Sequence, residues 1–173
     1  MGREHPTRQD IRGKLWNELS EGTGAVDAGS AYFEQYRLYI EMADRISQRR
    51  AVTNTFFLSL NTIVFSVFGA VWAHQPRHIS TLGATLVLGV LVGECCAWWM
   101  ILRSYRQLNT AKYTVIGLLE ERLPASPFWA AEWTALGEGK DWRLYMALTH
   151  VERWVPFGFA LIYVAAFAFV VTA

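Results

Sequence analysis

Three stretches of this chain run for about the length of a bilayer crossing with almost no charge, and that limits the fold more than any other feature. Residues 51–73 contain no Asp, Glu, Lys, Arg or His, which gives 23 residues where about 20 suffice to cross hydrocarbon. Residues 80–102 form a second run of 23, with Glu94 as its one charge. The connection, residues 74–79, holds Pro76 and leaves room only for a tight reversal, so the first two spans are expected to form a helical hairpin. Residues 155–173 are a third charge-free run, with Pro156 near its first turn, where a missing N–H costs little. The expected fold class is all-α, an integral membrane protein with three transmembrane helices. Because the first apolar run begins only near residue 51, it is expected to be a retained anchor and not a cleaved secretory signal.

Orientation follows from the basic residues, which accumulate in cytoplasmic loops. Eight precede span one; Arg103, Arg106, Lys112 and Arg122 follow span two; Lys140, Arg143 and Arg153 precede span three. Of sixteen in all, only Arg77 falls in the short connection. This predicts a cytoplasmic N-terminus and an external C-terminus. An aromatic belt is expected to agree, with Trp72 at the outer end of span one and Trp98, Trp99 and Trp154 at inner ends.

The polar segments read as helices that extend the hairpin. Tyr32, Tyr36, Tyr39, Ala43 and Ile46 recur at spacings of four and three, the seam of a helix packed on another. Ser30 is a plausible N-cap, and no Gly or Pro interrupts the path to Ser66, so this helix is expected to enter the membrane as one rod of roughly 55 Å. Tyr105, Leu108, Val115 and Leu119, with Lys112 as the one polar seam position, give a matching stripe that Pro124 stops. If the hairpin turns near residues 75–77, Lys112 falls near Glu41, and Glu94 near residues 59–62. Two amphipathic helices are expected besides, over residues 7–21 and 126–136, the second carrying Phe128, Trp129 and Trp133 for either the stalk or the headgroup layer. The stretch 141–154 should lead into span three as one bent helix. The organisation is thus an N-terminal cytoplasmic segment (1–29, with the linker-like 22–29), a membrane hairpin with a cytoplasmic stalk (30–123), cytoplasmic amphipathic helices (124–154) and a third span (155–173).

Glu41 to Arg50, Asn54 to Thr62, Leu108 to Lys112 and Glu120 to Pro124 carry a likeness, continued by Ala135 to Lys140 and Glu152 to Pro156. The pattern, from about residue 30 to the C-terminus, resembles the RipA family of small bacterial integral membrane proteins. The resemblance implies a multi-pass homo-oligomer of the bacterial inner membrane, an octamer, with no agreed catalytic residues. The two-span hairpin with a juxtamembrane helix is also similar to the SLATT class of presumed pore-forming defence effectors, from which the third span and the segment between spans two and three depart.

Within the spans, Glu94 is the most informative residue, because a carboxylate about 12 Å from the inner end of span two is costly unless it faces protein or water. It serves either function or a structural lock between helices. Asn54 and Asn61 share one face of span one, as do Ser59 and Ser66, and Thr62 lies beside them; these residues are helix–helix glue or the lining of a wet path. Gly89 and Gly93 form a Gly-x-x-x-Gly packing motif of modest specificity. Arg45, Arg49 and Arg50 are candidates for anionic lipid headgroups, although topology-setting charge explains them equally.

A net charge of +1 argues against a nucleic-acid partner. Cys95 and Cys96 read as two small buried hydrophobes, and the four histidines show no metal-ligand spacing, so no metal or other cofactor is expected. No phosphate-binding glycine loop, nucleophile elbow or zinc-protease motif is present, which leaves an enzyme as a distant third reading. Two readings stay open. One is a non-enzymatic homo-oligomer in contact with lipid, whose stalks organise membrane or partner proteins, including an unidentified cytoplasmic one. The other is an oligomeric channel or pore-forming effector lined by the Asn and Ser faces and tuned by Glu94.

Overall fold

The computed structural model describes residues 6–16, 25–74, 80–140 and 148–172. These form α1 (Arg8–Leu15), α2 (Ala25–His74), α3 (Thr81–Glu120), a π-helical turn Pro127–Glu132 that passes into α4 (Trp133–Ala135) and a 3-10 turn Gly137–Gly139, and α5 (Leu148–Thr172). Among the described residues there is no strand. Stretches of α2 (Gly29–Val71), all of α3 and most of α5 (Val151–Thr172) are long and apolar enough to cross a bilayer. The fold is all-α, as the charge-free runs predict.

The chain divides into two compact units: Met1–Ser47 with Gln107–Met146, and Gln48–Arg106 with Ala147–Ala173. The first unit is organised by the seam. Tyr36, Ala43, Ile116 and Leu119 are buried together, and Leu15, Trp16, Tyr32, Tyr39, Val115 and Phe128 pack around them. The α3 stripe runs through Lys112 and Ile116 and not through Leu108, which is exposed. Lys112 meets the ring of Tyr39, its ammonium 4.3 Å from the centroid, while Glu41 pairs with Arg45 at 3.6 Å. The hairpin register expected from the turn therefore holds to within about half a helical turn.

Local rules set the ends. Thr7 caps α1 in a reciprocal capping box with Asp10, each accepting a backbone N–H of the other. Trp16 is the extended C-cap, and residues 17–21 lie outside the described residues. Ser30 does not cap α2, which already begins at Ala25 and takes Gly29 into the helix. The expected regular helix over residues 126–136 is instead three short coils of different pitch, with Pro127 in the first turn as anticipated. Gly137 at φ 65° and Gly139 at φ 69° allow the left-handed backbone that closes them.

The second unit holds the Gln48–His74 part of α2, the Thr81–Arg106 part of α3, and α5. Its centre is aromatic: Phe57 stacks on Trp98 at 5.4 Å, Phe65 stacks on Tyr163 at 5.0 Å, and Phe159 lies against Trp98, Phe65 and Tyr163. Trp98 has no solvent exposure and is core, not part of a belt, whereas Trp154 is exposed. The Trp72 side chain, expected in the outer belt, lies outside the described residues. Cys95 is buried but Cys96 faces outward, so only one of the two behaves as a core hydrophobe. Pro156 is not in a first turn. It sits well inside α5, buried, where its missing N–H leaves the carbonyl of Glu152 without its helical donor. Residues 141–147, the first half of the expected bent helix, lie outside the described residues.

Candidate functional site

The three helices of the second unit meet at one polar node. Asn61, on α2, has no solvent exposure. Its amide nitrogen donates to the carbonyl of Phe57 at 2.8 Å, one turn back, and to Glu94 Oε1 on α3 at 3.0 Å. Its amide oxygen accepts from the Tyr163 hydroxyl on α5 at 2.5 Å. A primary amide offers two N–H donors and a carbonyl acceptor, and here both donors and the acceptor are engaged. The heptad spacing that pairs Asn54 with Asn61 turns both inward. Asn54, however, has a buried Oδ1 with no hydrogen-bond partner among the described residues, so the node is built on Asn61 alone.

The other span-one candidates lie elsewhere. Ser59, Thr62 and Ser66 are exposed along α2, and the hydroxyls of Thr62 and Ser66 donate to the carbonyls of Leu58 and Thr62 one turn back. Opposition across the hairpin predicts a partner for Glu94 among residues 59–62, and the structure selects Asn61 from that set. Gly89 and Gly93 are exposed, and a Cβ at either would meet nothing within 4 Å. Among the described residues, none packs closely on either glycine.

Arg50 is not a free cation. Its Nε lies 3.4 Å from Glu152 Oε2, with the two side chains 18% and 12% exposed. The pair joins α2 to α5 three residues before the charge-free stretch of α5. Arg45 pairs with Glu41, and Arg49 is exposed. At the same end, Arg103 lies over Trp99 and Arg153 over Trp154, with the Phe157 ring in contact with both indoles.

The first unit contains a buried carboxylate that pattern reading passes over. Glu120, the last residue of α3, is 2% exposed. Its Oε1 accepts from the Tyr36 hydroxyl at 2.9 Å and the Phe128 amide at 3.1 Å, and its Oε2 from the Ser126 hydroxyl at 2.7 Å and the Trp129 amide at 2.9 Å. Burial pushes its pKa up, but the donations from Ser126, Trp129, Phe128 and Tyr36 outweigh burial and hold it below the usual carboxylate range. Burial first, and then the hydrogen bond to Glu120, push the Tyr36 phenol up. Glu120 thus caps the N-terminus of the turn Pro127–Glu132, which also favours negative charge. The signal in the sequence is a Glu followed by Pro124 and then Ser126-Pro127, a carboxylate placed just before a helical start.

Around this point the Tyr32 hydroxyl donates to the Leu119 carbonyl, Trp16 stacks on Tyr32 at 5.9 Å, and Arg122 lies over Trp16 at 3.4 Å. Arg8 bonds Glu121 at 2.8 Å and lies over Trp129 at 4.3 Å. Phe128 and Trp129 are therefore packed within this unit, while Trp133 is half exposed. Among the described residues no group of His, Cys, Asp and Glu is placed to hold a metal ion. The geometry at both nodes is that of locks, with each donor matched to an acceptor.

Comparison with curated proteins and with solved structures returns no match. The model of the octameric membrane protein family (8xMP) matches residues 33–172, a stretch that takes in the seam from Tyr36 onward, all three apolar stretches and both polar nodes. The chain therefore belongs to the octameric membrane protein family.

Proposed function

We propose that this protein is a non-enzymatic scaffold of the bacterial inner membrane, an octamer as the RipA resemblance implies, whose polar unit lies in the cytoplasm and organises membrane or partner proteins. What carries this reading is the fate of the intramembrane polar groups. Asn61, Glu94 and Tyr163 bond to one another inside a protomer, so they serve helix packing and not a conduit. The near-absence of basic residues from the connection between spans one and two supports an inward N-terminus and an outward C-terminus. Arg45 and Arg49 then face the anionic headgroups of the inner leaflet. The exposed Gly89 and Gly93 are open to a neighbouring subunit.

A channel is the second reading, and one observation favours it: Ser59, Thr62 and Ser66 form an exposed hydroxyl row on α2. Ion flux through liposomes carrying the purified octamer separates the two. The scaffold reading expects no flux above protein-free liposomes. Flux that disappears in a Ser59→Leu, Ser66→Leu double variant with its octamer intact would establish the channel. Topology is read separately, by alkaline phosphatase fused at the C-terminus and after Arg77, both of which should be active.

A further inference from the structure

Two guanidiniums of the second unit stand at the edge of the apolar runs with no carboxylate to meet them. Arg103 is the first charge after the run that ends at residue 102, and Arg153 is the last before the run that begins at residue 155. Arg103 lies 5.4 Å from the centroid of Trp99 and Arg153 lies 5.5 Å from that of Trp154. The Phe157 ring joins the two indoles, at 5.9 Å from Trp99 and 5.7 Å from Trp154. We propose that this aromatic strip and its two arginines bind an anionic phospholipid, with the phosphate on the guanidiniums and an acyl chain on the rings.

The positive charge has no internal answer. Residues 48–106 and 147–173 hold two carboxylates, Glu94 and Glu152. Glu94 is bonded to Asn61 inside the spans, and Glu152 lies against Arg50. Among the described residues neither Arg103 nor Arg153 forms an ion pair. A guanidinium held by an indole face keeps N–H edges free, the groups that bond phosphate in bidentate fashion. At the boundary of the hydrocarbon the anion at high concentration is the lipid phosphate. A zwitterionic headgroup also brings an ammonium, which two arginines repel, so the preference falls on a lipid of net negative charge.

The apolar half of the site is uncovered. Trp154 is 62% exposed, Phe157 44% and Leu161 72%, and their spacing of three and four puts them on one face of α5. Leu161 follows Arg153 by eight residues, a rise of about 12 Å, which is most of one leaflet's share of a hydrocarbon core roughly 30 Å thick. A free phosphate would leave this face bare, whereas a phospholipid supplies both the anion and the chain. The site is placed by the ends of the apolar runs, whichever leaflet they meet, and so stands apart from the scaffold reading.

The test uses the full chain reconstituted in vesicles of phosphatidylglycerol and phosphatidylcholine in equal parts, extracted in mild detergent and weighed by native mass spectrometry. The parent should retain phosphatidylglycerol over phosphatidylcholine, and added inorganic phosphate should not displace it. Arg103→Gln combined with Arg153→Gln should lower that ratio by roughly fivefold per arginine. Both side chains are exposed, so the fold and the oligomer should be kept. Arg45→Gln combined with Arg49→Gln should leave the ratio at the parental value. Equal retention of the two lipids by the parent overturns the proposal, and so does a parental ratio in the Arg103 and Arg153 variant. A ratio that falls as far in the Arg45 and Arg49 variant also overturns it, because general surface charge would then account for the preference. Displacement by inorganic phosphate would overturn the lipid and leave a simple anion site.

Discussion

Tyr163 donates its hydroxyl to Asn61 across 102 residues of sequence, and this one bond joins the third apolar helix to the polar centre of the hairpin. Hydrogen bonds between membrane helices are modest, so the bond alone cannot hold α5 in place. Tyr163→Phe should lower the stability of the second unit by ~0.6 kcal/mol, and at most ~1.7. Glu94→Gln keeps an acceptor for the Asn61 amide and should be close to neutral. Glu94→Leu removes it and should fall in the same range as Tyr163→Phe. Unfolding midpoints of the three variants in mixed micelles check this order, and equal midpoints for Gln and Leu would remove Glu94 from the node.

The Arg50 and Glu152 pair makes a prediction of opposite character. The two side chains are nearly buried, and removing one partner leaves an uncompensated charge, which costs about 3–5 kcal/mol in buried sites. Glu152→Leu should therefore destabilise strongly. Replacing both by leucine should recover most of the loss, since an apolar pair of similar volume is often neutral. A double-mutant cycle in thermal unfolding measures the coupling, and a coupling near zero would mean the pair is incidental.

The hairpin was legible because its geometry is local. A short turn fixes opposition, so Glu94 could be placed against residues 59–62 from spacing alone, and Asn61 lies in that range. Tyr163 was not legible, because the long segment between α3 and α5 sets neither the depth nor the rotation of the third helix. The seam through Tyr36, Ala43 and Ile46 followed from its 3.5-residue period, and Leu119 of the matching stripe is buried as expected, whereas Leu108 was misplaced because Ile116 satisfies the stripe as well as Val115, one position around. Trp98 was assigned to the interface by residue type, but Phe57 and Phe159 enclose it. Glu120 was invisible to periodicity for a different reason: its partners are two backbone amides and two hydroxyls beyond a turn, and no side-chain pattern records them.

Gly117 permits the close approach of an indole. A Cβ at this position would lie 2.6 Å from the Trp129 ring, closer than side chains tolerate. Gly117→Ala should displace Trp129 and destabilise the first unit by ~1–3 kcal/mol, the usual range for overpacking. Trp129→Ala added to it should relieve the clash, so the double variant should lose less than the two single losses combined. Tryptophan fluorescence and unfolding midpoints report on both effects.

Glu120 leads to the last prediction, which concerns acid. Its folded pKa lies below the ordinary value of 4.5, so folding binds fewer protons here than the unfolded chain does. The stability it contributes is therefore fully present above that value and is lost as the pH falls through the lower folded pKa. Glu120→Gln cannot show this loss, because an amide does not titrate in that range. It should also be less stable at neutral pH by ~1–3 kcal/mol, since an amide nitrogen cannot accept from the Ser126 hydroxyl or the Trp129 amide and leaves buried donors unmatched. The difference between parent and variant should thus be constant from neutral pH down to the carboxylate range and shrink below it. Amide hydrogen exchange of Phe128 and Trp129 localises the effect, with both protected in the parent and exchanging faster in Glu120→Gln. A stability difference that does not narrow in acid would mean that the carboxylate is protonated when folded, and would overturn the assignment of Glu120 as a charged cap.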